Sequence, residues 1–347
     1  MLTDVRICAL LGACLLLQGC YVTQAATGQL RILNAREPIS HVLDDPGTSP
    51  ELRKRLQTVR EAREFASREL GLPNNKSYTS YADLQREFVV WNVVAAPEFS
   101  VRPREWCFPI VGCVAYRGYF KEASADKFAA KMRAEGFDTV VEGVPAYSTL
   151  GKFNDPILST MLGYGDDELA SIIFHELSHQ VVYIPDDSSF NEAFAVTVER
   201  EGLSRWLASR GRAADLDRYV KRRQRQESAM RIVARHREAL SRLYASGAAP
   251  TTVRERKSAE FTSMIDELKA LDASFGVKSG LVSELEGPPN NARLASLATY
   301  FDCVPGFERV LAGQQHDLPR FFDAVRALSK LTPAERHAQL CTSAAKN

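Results

Sequence analysis

SIIFHELSHQVVYIPDDSSFNEAFAVTVERE, residues 171–201, is the stretch on which the fold turns. An apolar run, Ile172-Ile173-Phe174, leads directly into His175-Glu176-Leu177-Ser178-His179. Residues four apart on an α-helix lie one turn apart on the same face, so His175 and His179 can reach one metal ion. The H-E-x-x-H spacing suits zinc, which takes imidazole nitrogens at roughly 2.0–2.1 Å. Glu176 projects beside such a metal rather than onto it, placed to take a proton from an acidified water.

A zinc ion that keeps one position open for water needs a third protein ligand. Pro185-Asp186-Asp187-Ser188 reads as a turn ending one helix and starting another. A second antiparallel helix would bring Glu192, in Asn191-Glu192-Ala193-Phe194-Ala195, back over the histidines. The expected ligand set is His175, His179 and Glu192, with one Zn2+ per chain.

HELSHQ followed by FNEAFAVTVE resembles the gluzincin metallopeptidases, most of all the zinc aminopeptidases that carry HExxHQ and then NE-[GA]-FA. The chain also resembles a group of bacterial lipoproteins described as predicted aminopeptidases. That group shares the N-terminal start, the Cys107/Cys113 region and the Asn290-Asn291-Ala292 segment. The resemblance implies that His175, His179 and Glu192 are zinc ligands and that Glu176 is the general base; Glu199, on the same helix face as Glu192, would orient a ligand histidine or a substrate group, with a solvated glutamate as the alternative. It also implies a peptide substrate. Two features of the large aminopeptidases are missing. The connection to Glu192 is shorter, and there is no GxMEN segment to grip a free amine. The nearest counterpart by position is 144–151, expected as an edge strand along which a peptide could add, with Tyr147, Ser148 and Thr149 as substrate contacts.

The N-terminus reads as a targeting segment. Arg6 supplies a thin positive region, Ile7 to Leu17 is apolar, and Leu17-Gln18-Gly19-Cys20 resembles a bacterial lipobox. Residues 1–19 are then a signal peptide and Cys20 a lipidated first residue. Residues 20–36 form an anchor and linker, and 37–347 a single peptidase domain. By analogy with bacterial sorting, Tyr21 after Cys20 favours the periplasmic face of the outer membrane. No apolar run reaches the roughly 18 residues of a membrane span. Export places Cys107, Cys113, Cys303 and Cys341 in an oxidising compartment, where three pairings are open. Cys107 with Cys113 would close a hairpin and Cys303 with Cys341 would tie down the C-terminus. A metal clip and four reduced thiols are the alternatives.

The remainder is mostly helical by period. Ser49-Pro50 starts a helix running to about Leu70. Residues 78–120 are β-branched and aromatic, and 137–144 alternates as a strand. Asp155-Pro156 is expected to start a short helix through Met161. Residues 200–275 read as an antiparallel helical hairpin. From Arg200 to Glu260 there are sixteen Lys/Arg and seven Asp/Glu, a net of +9 in a chain whose total is +1. That excess is either a solvated face or a surface for anionic lipid or an acidic partner; nucleic acid is not expected of an exported protein. Asn291 is placed as a helix N-cap and a substrate-side residue. The donor that steadies an oxyanion is sought among Tyr300, Tyr183 and Tyr244, with Tyr300 first.

The expected fold is α+β and predominantly helical. A small β-sheet precedes the HExxH helix, and a gluzincin-like zincin core carries an appended helical hairpin. The expected activity is that of a lipid-anchored zinc peptidase, an aminopeptidase before an envelope endopeptidase. The non-enzymatic alternative is a zinc-containing lipoprotein that binds a partner through its hairpin.

Overall fold

The computed structural model describes residues 21–108, 112–146 and 148–341. Residues 1–19, Cys20 and Tyr147 lie outside these, as does the side chain of Tyr300. The architecture is α+β and predominantly helical, 61% helix with small sheets.

Three strands make the main sheet. β3 (Val90–Pro97) lies between β6 (Arg117–Tyr119) and β7 (Phe137–Val144), antiparallel to both. Period-two alternation sends the residues of β3 to opposite faces. Val93 packs with Tyr119, Ala125 and Ala129 beneath α4 (Glu122–Ala134). Val94 and Ala96 pack with Val140 and Ala292, the last on α10 (Asn291–Phe301). With helices on both faces, the strand reads as the near-continuous apolar run Val-Trp-Asn-Val-Val-Ala-Ala rather than a polar/apolar alternation. A second small sheet orders β1 (Arg36–Pro38), β2 (Ser80–Ala82) and β8 (Ile157–Leu158). The hairpin of β4 (Trp106–Phe108) and β5 (Gly112–Val114) is closed by Cys107–Cys113, which face each other in register.

The core is built on α3 (Pro50–Glu69), α5 (Asp166–Ser178) and α6 (Ser188–Ser209). Ser49 caps α3 by accepting from the Leu52 N–H at 3.2 Å, and Pro50 fills the first turn. Phe65 and Trp206 meet edge to face at 5.2 Å, and both pack on Phe174. Phe194 on α6 touches the rings of Phe307, Phe321 and Phe322. These come from α11 (Val304–Gly313) and α12 (Leu318–Leu328). Full burial of such a ring stabilises the fold by about 3 kcal/mol. The C-terminal α13 (Pro333–Leu340) lies on α11 and is tied there by Cys303–Cys341.

Several local expectations give way. Residues 21–35 form a helix rather than a linker, with Ile32 buried and the Gln24 amide bonded to Gly118 and Phe120. Tyr21 stacks on Phe108. The segment looks polar because only one face of the helix is covered. Residues 155–161 make β8 and a 3-10 turn, not a helix, because Tyr81 and Ala82 of β2 recruit Ile157 and Leu158 as parallel partners. Residues 200–209 belong to α6, and the hairpin is α7 (Ala213–Tyr244) with α8 (Pro250–Ser274). The break falls at Gly211, φ 65°, a left-handed position glycine adopts without strain. The basic excess of 200–260 is largely paired within the molecule: Arg200 and Arg223 with Glu308, Arg212 with Asp167, Arg225 with Asp272, Arg237 with Asp302. Buried His236 of α7 lies between Glu260 and Glu267 of α8, at 2.6 and 3.1 Å, and clasps the hairpin. No helix among the described residues is long and apolar enough to cross a membrane.

Candidate metal centre

α5 opens with Asp166, Asp167 and Glu168, acidic residues that suit the positive end of a helix, and carries His175 in its last turn. His179 is the residue that closes it. The chain then reverses over 180–187 and enters α6, which carries Glu192 and Glu199. Three contacts hold this reversal. The Asn191 side chain bridges both main-chain polar groups of Ile184, at 2.8 and 2.7 Å. Asp187 caps α6 through the Phe190 N–H and is itself gripped by Arg336 and His337 of α13. Asp186, in a left-handed conformation, accepts from the Cys113 N–H of the disulfide hairpin.

The result brings His175, His179 and Glu192 together, with a ligand atom from each within 4.8 Å of the others. Glu192 Oε2 lies 3.3 Å from His175 Nε2 and 3.9 Å from His179 Nε2. On the far side of His175, Nδ1 meets Glu199 Oε2 at 3.1 Å. A carboxylate there fixes ring orientation and tautomer, leaving Nε2 facing the centre. His179 is buried and its Nδ1 has no hydrogen-bond partner among the described residues. Two convergent imidazole Nε2 atoms and a carboxylate form a donor set that fits zinc.

The electrostatics agree. Burial pushes His179 down to about 4, so it is the neutral imidazole a metal requires. Burial also acts to lower His175, but its bonds to Glu192 and Glu199 outweigh this and raise it well above the ordinary value. Burial acts to raise Glu192, and the bond from His175 overcomes it, holding the carboxyl below its usual range. In the metal-free protein His175 and Glu192 are therefore an ion pair, and a metal would displace its proton. Glu176 makes no ion pair or hydrogen bond among the described residues. Burial pushes it up to about 7; His175 opposes this, while Glu192, Asp155 and Glu199 add to it.

The other expected site residues divide. Thr149 is not on a strand: its N–H and Oγ1 donate to Asp155 at 2.8 and 2.7 Å. Ser148 accepts from the Leu150 N–H. Leu150, Gly151 and Asn154 are all left-handed, so 148–154 is a looped segment and offers no edge for strand addition. Asn291 is fully buried and is not the cap, which is Asn290. Its amide donates to the Glu98 carbonyl at 2.8 Å and its oxygen accepts from Tyr244, so both residues serve packing. Double Asn leaves the choice of cap open in sequence. The tertiary structure decides it, because the Asp138 carboxylate takes the Asn291 N–H. Two phenols do stand near Glu192. Tyr183 is raised by burial and then by Glu192. Tyr116 is raised far more by burial, then by Glu192, Tyr183 and Glu176. Nothing in the sequence singles out Tyr116, since only the turn after the Cys107–Cys113 hairpin swings it to the site.

No curated protein and no solved structure matches the chain. A family model described as "Putative aminopeptidase" matches residues 20–340, nearly the whole length, and the chain belongs to that family.

Proposed function

We propose that the protein is a zinc-dependent peptidase of the gluzincin type, acting as an aminopeptidase. One observation carries the reading: His175 Nε2, His179 Nε2 and Glu192 Oε2 converge beside Glu176, which has no ion-pair or hydrogen-bond partner among the described residues. Family membership supports a peptidase-like function. His175, His179 and Glu192 would hold the zinc, which would supply Lewis-acid polarisation of the scissile carbonyl and of a water. Glu176, tuned toward neutrality, takes a proton from the attacking water and returns it to the leaving amine. Glu199 holds the His175 ring in the tautomer that presents Nε2. Tyr116 and Tyr183, both protonated at neutral pH, donate to the oxyanion as charge develops. We further propose that lipidation of Cys20 anchors the enzyme to the bacterial envelope. Cys20→Ser should move it from the membrane to the soluble fraction.

The test uses purified protein of known zinc content and a peptide supplied with a free and with an acetylated N-terminus. Glu176→Gln should keep its zinc and lose at least about 100-fold in hydrolysis, the lower range for removing a general base. Cleavage of the free form alone would establish an aminopeptidase. Hydrolysis that survives Glu176→Gln would remove the mechanism.

A further inference from the structure

The helix at 21–35 is fastened to the protein along one face. Tyr21 stacks on Phe108 with ring centres 5.3 Å apart and meets Tyr119 edge to face at 5.6 Å. The Arg117 guanidinium lies 4.1 Å from the centre of the same ring. One turn on, the Gln24 amide donates to the Gly118 carbonyl at 3.3 Å and its oxygen accepts from the Phe120 N–H at 3.2 Å, so the helix is bonded to the end of β6. At Gly28 the backbone sits so close that a β-carbon would stand 2.2 Å from the Phe120 ring. Ile32 completes the row, 2% exposed in the main core. Steps of three and four residues keep all four positions on one side of a helix.

The opposite side is apolar as well. Val22, Ala26, Leu30 and Leu33 follow the same spacing, and about 140° separates their line from that of Tyr21, Gly28 and Ile32 at 3.6 residues per turn. Val22 and Leu30 are each 57% exposed, more than any other large apolar side chain among the described residues. Ala26 is exposed and Leu33 half-buried. From Val22 to Leu30 the stripe runs about 12 Å along the helix.

The place of this stripe says what covers it. Tyr21 directly follows Cys20, a single Cα step of about 3.8 Å. Acyl chains on Cys20 would bring the bilayer to the first turn of a helix whose inner face is already docked, with no linker between. An apolar stripe that starts at such an anchor lies along the lipid surface, and an acyl group plus a buried apolar face is the pair of signals that stable attachment needs.

We propose that the helix at 21–35 is an interfacial helix, its outer face of Val22, Ala26, Leu30 and Leu33 seated in the phospholipid surface while its inner face holds the domain. This rests on the anchoring of Cys20 and deepens it. The contact reaches toward the metal centre. Phe108, beneath Tyr21, pairs in register with Gly112, and the next residue, Cys113, donates its N–H to Asp186 in the turn before α6. The enzyme is therefore held against the lipid in one orientation rather than swinging on a tether.

The experiment uses the chain from Cys20 onward, its Cys20 thiol coupled to a maleimide lipid in phosphatidylcholine vesicles; the other four cysteines are in disulfides. Leu30→Trp and, as a control elsewhere on the surface, Phe275→Trp are compared with wild type, and thermal unfolding checks that each is folded. Phospholipid brominated in its acyl chains should quench the fluorescence added by Leu30→Trp and leave that added by Phe275→Trp unchanged. Hydrogen exchange at the Phe120 amide, which Gln24 holds, should be as slow on vesicles as in the uncoupled protein. No quenching at Leu30→Trp overturns the proposal, and equal quenching at Phe275→Trp does the same by showing general adsorption. Faster exchange at Phe120 also overturns it, because the helix would then have peeled from the domain. The mass of the mature protein from cells separates the two readings. An unacylated Cys20, with the Leu30 pattern present in the coupled protein, removes the anchoring reading and leaves the lipid-facing helix. An acylated Cys20 without that pattern removes the helix proposal alone.

Discussion

Replacing Arg336 by methionine should destabilise the protein by about 3 kcal/mol. Arg336 and Asp187 are almost fully buried, with side chains 5% and 3% exposed. The guanidinium donates to Asp187 Oδ2 through Nε at 3.0 Å and through Nη2 at 2.8 Å. Removing one partner of a buried pair costs about 3–5 kcal/mol, since the other charge is left desolvated and alone. Asp187 would keep the Phe190 N–H and His337, which places the loss at the lower end. Methionine keeps an unbranched apolar stem of similar length, while the guanidinium contact with the Phe190 ring, 5.7 Å to its centroid, is lost with the charge. Urea unfolding of wild type, Arg336→Met, Asp187→Asn and the double variant completes a cycle. The double variant should be more stable than Arg336→Met alone, because it leaves no buried charge unpaired and asparagine still caps α6. Zinc affinity should weaken in Arg336→Met, as Asp187 starts the helix that carries Glu192 five residues on. A loss under about 1 kcal/mol, or a double variant no more stable than the single one, would refute the argument.

Three further outcomes follow from other contacts. Glu199→Gln should weaken zinc binding by about 10-fold in a chelator competition, the low end for an outer partner because Glu199 is partly exposed; unchanged affinity would mean it does not orient His175. The bond from His337 to Asp187 raises the imidazole and helps lower the carboxyl, against burial. The imidazole's contribution is full below its unfolded pKa, about 6.5, and fades as pH rises through the raised folded value. The carboxylate's is present above about 3.9 and fades as pH falls through the lowered one. The stability gap between wild type and His337→Gln should therefore shrink from pH 5.5 to pH 8.5, and a constant gap would exclude this coupling. Gly306→Ala should cost about 1–3 kcal/mol in urea unfolding, because a β-carbon there would collide with the Leu340 backbone where α11 and α13 cross; a neutral effect would mean the crossing can open.

What could be read without a structure was what is local. The i, i+4 histidines, the turn at 185–188 and Glu192 on the next helix lie within one helix–turn–helix, so spacing alone predicts their meeting. Glu199, two turns beyond Glu192, follows from the same period. The Ser49 cap, the hairpin closed by Cys107 and Cys113, and the helical character of most of the chain are likewise carried by neighbours in sequence. Contacts between distant segments were not legible. Whether 155–161 is helix or strand depends on β2, some seventy residues earlier. Whether Asn290 or Asn291 caps α10 depends on Asp138. Tyr116 comes near Glu192 only through the path of the chain after the β4–β5 hairpin. The grip of Arg336 on Asp187 joins residues 149 positions apart. Helix period, caps and turns are short-range energetics written in adjacent residues. The walls of the site and its phenols are set by which surfaces bury one another, and only the packed chain decides that.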